Sequence, residues 1–193
     1  LQKKIGLTCA FGPQHGVNGE KQDNMIESST FIHPTYKIPI YSLYGEVRIP
    51  SKEMMDSFDV LIFDLQDLGC RIYTFITTLL YVMQECAKHG KSILVLDRPN
   101  PAGRSIEGFS LRKGWESFVG AADFPMRHGL TAGEMALFYQ DHFKLELDLR
   151  IVKMKGYSPS KNGGWPTERC WVNPSPNAAT LNMARIYCGS VLI

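Results

Sequence analysis

Clusters of polar side chains follow four short apolar runs in this 193-residue chain. The clusters are Gln14/His15 after residues 5–11, Glu46 after 39–43, Asp64/Gln66/Asp67/Arg71 after 60–63, and Asp97/Arg98/Asn100 after 92–96. Carboxylates can move protons or attack an electrophilic carbon, whereas amides and guanidinium groups bind hydroxyls and anions. A single polar residue after a strand is ordinary, because loops are polar. Four clusters that combine acids, amides and bases favour a binding or catalytic site.

The segments around these clusters predict the elements that would position them. Residues 60–63 and 92–96 have the length and apolar character of strands buried on both faces. Between them, apolar residues recur with the helical period over 72–89, and Gly90 suits the end of that helix. A strand, a helix and a strand with short connections form a βαβ unit with parallel strands. The polar clusters should therefore converge at one edge of a parallel sheet.

The rest of the chain predicts more elements of the same kind. We expect strands at 5–11, 39–43 and 149–154, a long ordered loop at 17–37 and an irregular region at 102–130. We expect a short helix capped by Ser51, a helix from the Thr131/Glu134 capping box to about 143, and a helix from Thr180. These elements indicate an α/β fold with a mostly parallel sheet and helices on both faces.

Composition excludes several classes of function. The net charge is +2 with scattered Lys and Arg, whereas a nucleic-acid-binding protein needs a basic face. No apolar stretch reaches the about 20 residues of a membrane span. The five cysteines contain no CxxC pair, so we interpret them as buried apolar residues rather than zinc ligands or disulfides.

Several catalytic and cofactor motifs are missing from the sequence. The segment GPQHG at 12–16 is neither of the glycine-rich phosphate-binding motifs, and Pro13 lacks a backbone N–H donor. No GxSxG motif is present, which argues against a serine hydrolase of that type. His15 and His128 lie in neither HxH nor HExxH spacing, so we expect hydrogen-bonding roles and no metal or other cofactor.

A site of carboxylates, amides, arginines and aromatic residues suits a sugar. Tyr44, Tyr73, Trp115, Trp165 and Trp171 offer ring faces for the apolar side of a pyranose. Cleavage of a glycosidic bond requires a carboxylic acid near the leaving oxygen and usually a second carboxylate. Burial after the strand at 60–63 could favour the protonated form of Asp64 or Asp67. The sequence offers more acids than such a pair and does not select between them.

Seven segments together resemble one family in its order along nearly the whole chain. They are FGPQHGVNGE (11–20), YSLYGE (41–46), FDLQDLGCRIYTFITTL (63–79), LDRPNP (96–101), IEG (106–108), RHGLTAGE (127–134) and PSPNAATL (174–181). The family is DUF1343, whose characterised members are exo-acting β-N-acetylmuramidases of the NamZ type. The resemblance implies that residues 1–193 form one incomplete Rossmann-like domain without the family's C-terminal domain. It also implies a periplasmic or secreted compartment, although both ends look truncated.

The resemblance implies a glycosidase that releases N-acetylmuramic acid from the non-reducing ends of peptidoglycan fragments. The candidate catalytic residues are Glu20, Glu46, Asp64, Asp67 and Asp97. The candidate substrate-binding residues are Gln14, His15, Gln66, Arg71, Tyr73, Arg98, Asn100, Arg127 and His128. We expect Arg71 or Arg127 to bind the lactyl carboxylate that distinguishes muramic acid from glucosamine, because a guanidinium fork matches a carboxylate.

One departure from the family pattern keeps an alternative open. Many members have Glu in GPEHG where this chain has Gln14, and an amide cannot donate the catalytic proton. Either another acid replaces it, with Glu20 first and then Glu46 or Asp64, or this branch works differently or has lost activity. The alternative is therefore a catalytically inactive sugar-binding relative. A third hypothesis, a phosphate- or nucleotide-sugar-binding protein, is disfavoured by the missing glycine loop.

Overall fold

The computed structural model describes residues 5–19, 21, 29–160, 164–166 and 168–192. The strands in this part of the chain are β1 (Ala10–Gly12), β2 (Phe31–Ile32), β3 (Pro39–Ser42), β4 (Val60–Phe63), β5 (Ser92–Leu96), β6 (Glu107–Ser110), β7 (Pro125–Arg127) and β8 (Leu149–Val152). The helices are α1 (Lys52–Met55), α2 (Phe75–His89), α3 (Ala132–His142) and α4 (Leu181–Ser190), with a 3-10 turn at Pro176–Ala178.

A parallel sheet in the order β4-β5-β8 carries the predicted βαβ unit. Leu61 pairs with Ile93 and Phe63 pairs with Val95, so these side chains share one face. Helices α2 and α3 pack their buried residues into the same core as that face. The α/β class, the parallel pairing and the Rossmann-like character of the prediction are therefore confirmed.

The burial of β4 differs from the prediction. Leu61 and Phe63 are buried, but Val60 and Ile62 on the opposite face are 53% and 47% exposed. These two residues line an apolar groove of about 480 Å³ between β4 and the segment that contains β1. An uninterrupted apolar run thus does not distinguish a strand covered on both faces from one covered on a single face.

A second sheet has the order β1-β3-β2, with β1 parallel and β2 antiparallel to β3. Cys9 and Leu43 beside these strands belong to the same core as β4 and β5. Strand β1 is shorter than the predicted 5–11. Strand β2 lies in the region that was predicted as loop, because two exposed residues give no periodic signal.

The segment predicted as irregular, 102–130, contains the antiparallel pair β6-β7. All residues of β6 are exposed, so no apolar alternation marks this strand in the sequence. Gly108 has a φ of +83° within an irregular register, which further obscures the pattern. The pair nevertheless matters for the site, because β6 contacts the side chains of two predicted site residues. Arg71 donates to the Phe109 carbonyl of β6, and Arg127 of β7 pairs with Glu107 of β6.

Helix ends follow the predicted capping chemistry closely. Ser51 accepts a hydrogen bond from the Met54 N–H, and Thr180 accepts one from Met183. Thr131 and Glu134 form the complete capping box of α3, and Gly90 ends α2 at a φ of +64°. Helix α2 begins after Thr74 rather than at residue 72, because the preceding residues form a turn.

Candidate active site

The carboxyl ends of β1, β4, β5 and β8 open onto one cleft of about 810 Å³. The loop after β1 contributes residues 16–19 to its wall, and the opposite side is formed by residues near Trp165 and Pro174. Asp64 and Gln66 enter from the end of β4, and Asp97 and Arg98 enter from the end of β5. The structure therefore brings together the polar ends of neighbouring strands, as expected for parallel strands.

Asp64 and Arg98 form an ion pair at the surface of this cleft. The Nε of Arg98 lies 2.9 Å from Oδ1 of Asp64, and Nη2 of Arg98 contacts the same oxygen. The side chains are 48% and 42% exposed, so both groups can reach a ligand. Oδ2 of Asp64 forms no hydrogen bond with a described residue. Asp64 therefore offers one bound and one open carboxylate oxygen to the cleft.

Asp97 lines the cleft but is held by the start of α3. Its Oδ1 accepts hydrogen bonds from the backbone N–H groups of Gly133 at 2.8 Å and Arg98 at 3.0 Å. Its Oδ2 accepts a hydrogen bond from the Thr131 hydroxyl at 3.1 Å. A carboxylate at a helix N-terminus interacts favourably with the helix dipole. Asp97 thus joins the end of β5 to α3 as well as facing the cleft.

Asp67 lies behind the cleft in a buried polar layer that we define by Asp67, Gly69, Asn100 and His128. Oδ2 of Asp67 accepts hydrogen bonds from the Gly69 N–H at 2.6 Å and from Nε2 of His128 at 3.2 Å. Because Nδ1 of His128 accepts from the Leu130 N–H, the hydrogen of this ring is assigned to Nε2. The predicted acid Asp67 is therefore bound by the protein through Oδ2, and its Oδ1 is buried with no hydrogen-bond partner among the described residues.

Asn100 is also engaged within this layer rather than in the cleft. Its amide donates to the Leu130 carbonyl at 3.0 Å, and its Oδ1 accepts from the Ala102 N–H at 2.9 Å. Gly69 has a φ of +77°, and a Cβ on it would lie 2.2 Å from Oδ1 of Asn100. Only glycine fits here, which explains the LGC sequence after Asp67.

Gln66 faces the cleft with its amide nitrogen fixed. Nε2 donates to the carbonyl oxygens of Asp67 at 2.8 Å and Pro99 at 3.0 Å. Its Oε1 is buried and has no hydrogen-bond partner among the described residues. Gln66 therefore bridges the ends of β4 and β5, and its Oε1 remains a buried, unpaired acceptor beside the cleft.

Gln14 and His15 are buried and support the loop after β1. Oε1 of Gln14 accepts a hydrogen bond from the Thr74 hydroxyl at 2.7 Å, just before α2. His15 has a φ of +74°, its Nδ1 lies 2.8 Å from the Lys21 carbonyl, and its ring stacks on Tyr73 at 6.3 Å. Neither side chain lines the cleft. Both hold the loop that forms one wall of the cleft.

The arginines expected to bind the lactyl carboxylate are occupied elsewhere. Nη1 of Arg71 donates to the carbonyls of Phe124 at 2.6 Å and Phe109 at 2.8 Å, and burial lowers the pKa of Arg71. Arg127 contacts Glu107 at 2.9 Å and the Ala102 carbonyl. Neither arginine lines the cleft, because both hold the segment that carries β6.

The remaining predicted residues either lie outside the cleft or are not among the residues that the structure describes. Tyr73 is buried, and burial raises the pKa of its hydroxyl well above its usual range. Glu46 is exposed after β3 and does not line the cleft. Glu20 lies outside the residues that the structure describes.

The sequence analysis missed two basic residues of the cleft, Lys153 and Arg169. Lys153 directly follows β8, so the same argument from strand ends would have found it. Arg169 lies in a segment without regular structure, and only the fold brings it to the cleft. Trp165, already a candidate ring surface, also lines the cleft and packs against Trp171 with ring centroids 4.9 Å apart.

The described residues contain no group of three or more acidic, cysteine or histidine side chains arranged for a metal ion. Nor does any helix in this part of the chain have the length and apolar character needed to cross a membrane.

Comparisons with known proteins identify what this arrangement is similar to. The family model described as "Exo-beta-N-acetylmuramidase NamZ, N-terminal" matches residues 1–182. A peptidoglycan β-N-acetylmuramidase NamZ from Bacillus subtilis is 40% identical over 190 residues, which are 98% of this chain and 45% of that protein.

Two crystal structures of DUF1343 family proteins from Bacteroides fragilis have the same fold. One has a TM-score of 0.79 at 36% identity and covers 95% of this chain and 46% of its own. The other has a TM-score of 0.78 at 31% identity and covers 99% of this chain and 50% of its own. The chain therefore spans about half the length of the relatives that it matches.

Proposed function

The chain belongs to the family of N-terminal domains of NamZ-type exo-β-N-acetylmuramidases, and on that premise we propose that it acts as a glycoside hydrolase. Its proposed substrates are peptidoglycan fragments, from whose non-reducing ends it releases N-acetylmuramic acid. The observation that supports this function is the cleft at the carboxyl ends of β4 and β5, which carries Asp64, Asp97 and Arg98. We also propose that residues 1–193 belong to one incomplete Rossmann-like domain, which is supported by the single core that the described residues of both larger sheets share.

The size and lining of the cleft suit a monosaccharide at the end of a chain. A volume of about 810 Å³ lies within the range of about 300–1,000 Å³ typical of small-molecule sites. The indole of Trp165 offers an apolar surface for one face of the sugar ring. Asp64 offers its Oδ2 as an acceptor for the hydroxyl and amide groups of the sugar.

Asp64 is the carboxylate that we assign to the reacting bond. It is the more open of the two acids that line the cleft, and its Oδ2 has no partner among the described residues. The oxocarbenium-like transition state of glycoside cleavage carries positive charge, which a nearby carboxylate stabilises. Asp97 acts as a positioning residue, because Thr131 and Gly133 already bind both of its oxygens.

The test is release of 4-nitrophenol from 4-nitrophenyl N-acetyl-β-muramide. We expect turnover by the wild-type chain and a loss of at least about 100-fold in kcat for Asp64→Asn, since such a charge is felt mainly in the transition state. The amide keeps the size of the side chain and removes its negative charge. Full activity of a folded Asp64→Asn protein would contradict the assignment.

Asp97→Asn is the comparison variant for the positioning role. We expect it to lower kcat less than Asp64→Asn and to destabilise the fold, because an amide cannot accept all three hydrogen bonds at Asp97. A folded Asp97→Asn protein that cleaves the substrate at the full rate would show that Asp97 does not contribute to the reaction. An Asp97→Asn protein that is stable but as inactive as Asp64→Asn would instead give Asp97 the reacting role.

The second candidate function is sugar binding without turnover. It is favoured by Gln14, which replaces the glutamate expected at this position and is held by Thr74 as a neutral amide. Binding of N-acetylmuramic acid with no release of 4-nitrophenol would support this candidate. Recovery of turnover in a Gln14→Glu variant would show that the missing acid is the cause.

A further inference from the structure

The cleft carries more positive than negative side chains. Its basic residues are Arg98, Lys153 and Arg169, and its acidic residues are Asp64 and Asp97. Lys153 and Arg169 are exposed and form no ion pair with a described residue. Asp97 directs both oxygens toward the start of α3. A ligand with a negative charge would therefore be attracted to this cleft.

The guanidinium of Arg98 is fixed on one edge and open on the other. Asp64 binds the edge formed by Nε and Nη2, through a single oxygen. Nη1 forms no hydrogen bond with a described residue and the side chain is 42% exposed, so the edge formed by Nη1 and Nη2 is not bound by the described protein. That edge has two parallel N–H donors, which match the two oxygens of a carboxylate. Asp64 thus orients a binding group without blocking it.

Arg71 and Arg127, the other predicted site arginines, are not available to bind a carboxylate in the cleft. Arg71 is buried and donates to two backbone carbonyls. Arg127 is bound by Glu107 and the Ala102 carbonyl. Moving either group would leave buried carbonyl groups without a donor, which is costly. Arg98 is the arginine that lies beside both the open carboxylate of Asp64 and the cleft surface.

We propose that Arg98 is a specificity-determining residue whose Nη1–Nη2 edge binds the lactyl carboxylate of N-acetylmuramic acid. The proposal rests on the proposed function and names the group that separates muramic acid from glucosamine in the cleft. Lys153 and Arg169 add positive charge, whereas Arg98 is the guanidinium that an ion pair with Asp64 holds in position. Oδ1 of Asp64 orients Arg98, and Oδ2 remains available to the sugar.

The experiment is a calorimetric titration of the chain with N-acetylmuramic acid and, separately, with N-acetylglucosamine. The proteins are the wild type, Arg98→Met, Arg98→Lys and the control Arg150→Met. Arg150 is a matched control, because it forms an exposed pair with Asp148 through Nε and Nη2 but does not line the cleft. Circular dichroism verifies that each variant is folded.

We expect the wild type to bind N-acetylmuramic acid at least about 10-fold more tightly than N-acetylglucosamine, since charged hydrogen bonds are stronger than neutral ones. Arg98→Met should remove this preference and leave the affinity for N-acetylglucosamine unchanged. Arg98→Lys should restore only part of it, because an ammonium group lacks the fork. Arg150→Met should behave as the wild type.

Equal loss for both sugars in Arg98→Met, or no loss for either, would overturn the assignment. A larger loss of the preference in Lys153→Met or Arg169→Met would also overturn it. If these results occurred while the wild type still cleaved the nitrophenyl muramide, the proposed function would stand without the role of Arg98. A wild-type chain that neither bound nor cleaved muramic acid derivatives would refute both.

Discussion

The cleft surface and the buried polar layer behind it contain the same kinds of side chain in opposite environments. In the cleft, Asp64 pairs with Arg98 through one oxygen, and both groups are about half exposed. In the buried layer, Asp67 is bound by Gly69 and His128 and is shielded from water. Two acids that are three residues apart in one motif thus serve different purposes.

The contrast indicates where changes should affect stability and where they should affect ligands. An exposed ion pair contributes about 0–1 kcal/mol, because water and salt screen it. Removing one partner of a buried hydrogen bond costs about 1–3 kcal/mol, because the other partner is left buried and unsatisfied. We therefore expect the buried layer to determine whether the chain folds and the cleft to determine what it binds.

The largest loss of stability should follow Gly69→Ala. The positive φ alone costs about 1–2 kcal/mol for a residue with a side chain. The new Cβ would also displace Asn100, whose side chain holds Leu130 and Ala102. We expect a total of about 4 kcal/mol or more, since each buried hydrogen bond left unmade costs about 1–3 kcal/mol.

The measurement for Gly69→Ala is urea unfolding, with Gly90→Ala as the matched control. Gly90 has a φ of +64°, but nothing lies within 4 Å of the position of its Cβ. The control should therefore lose only the backbone term of about 1–2 kcal/mol. Equal losses in the two variants would show that Asn100 and its contacts do not constrain residue 69.

Asp67→Asn should have the next largest effect, about 2 kcal/mol of unfolding free energy, because it weakens the bonds to Gly69 and His128 and buries an extra donor. Asp64→Asn should change stability by less than about 1 kcal/mol, as for an exposed pair. Urea unfolding of both variants tests the contrast between the buried layer and the cleft directly. Equal changes in stability would contradict it.

Alkaline pH should lower the stability of the fold, because it ionises buried thiol and phenol groups in the interior. Burial raises the pKa of Cys86 to about 12 and raises the pKa of Tyr73 and Tyr139 above their usual value. A group whose pKa is higher in the folded state than in the unfolded state stabilises the fold at any pH below its unfolded pKa. This stabilisation is lost as the pH rises from the unfolded pKa to the folded pKa. Stability should therefore hold near pH 8 and fall above about pH 9, where free thiols begin to titrate.

Unfolding midpoints in urea measured from pH 8 to pH 11 check this expectation. Cys86→Ala serves as the control, because it removes the thiol contribution and should make the decline shallower. The two tyrosines should still produce part of the decline. A midpoint that stays constant up to pH 11 would argue against burial of these ionisable groups.

Arg98→Met should have the smallest effect on stability, within about 0.5 kcal/mol, as for most exposed substitutions. It removes one exposed ion pair and leaves the stem of the side chain in place. Thermal or urea unfolding measures the change. A loss as large as that of Asp67→Asn would mean that the pair with Asp64 supports the fold rather than the ligand.

Most of the parallel sheet and both long helices were predictable, because their signals are local. The apolar run of β4, the period of α2 and the capping box of α3 depend on residues within a few positions of one another. Strands β2, β6 and β7 were missed, because the residues of β2 and β6 are exposed, those of β7 are uniformly half-buried, and the register of the β6-β7 pair is irregular. Local patterns carry no information about such pairings.

The location of the candidate site was predictable from the sequence, but only some of the residues that line it were. Asp64, Gln66, Asp97 and Arg98 line the cleft as the argument from strand ends requires. Asp67 and Asn100 follow the same argument in the sequence but turn into the interior. His128, which the family resemblance indicated, also lies in the interior. Arg71 and Arg127 were expected to face the substrate, yet each binds backbone carbonyls of the segment around β6 and β7.

By itself, the sequence determined that the ends of parallel strands meet at one edge, because a strand, a helix and a strand with short connections leave no other arrangement. Only the tertiary structure decided which polar side chains face outward there. In a loop without a repeating period, the direction of a side chain depends on single backbone angles, such as the positive φ of Gly69. It also depends on partners far along the chain, as His128 is for Asp67.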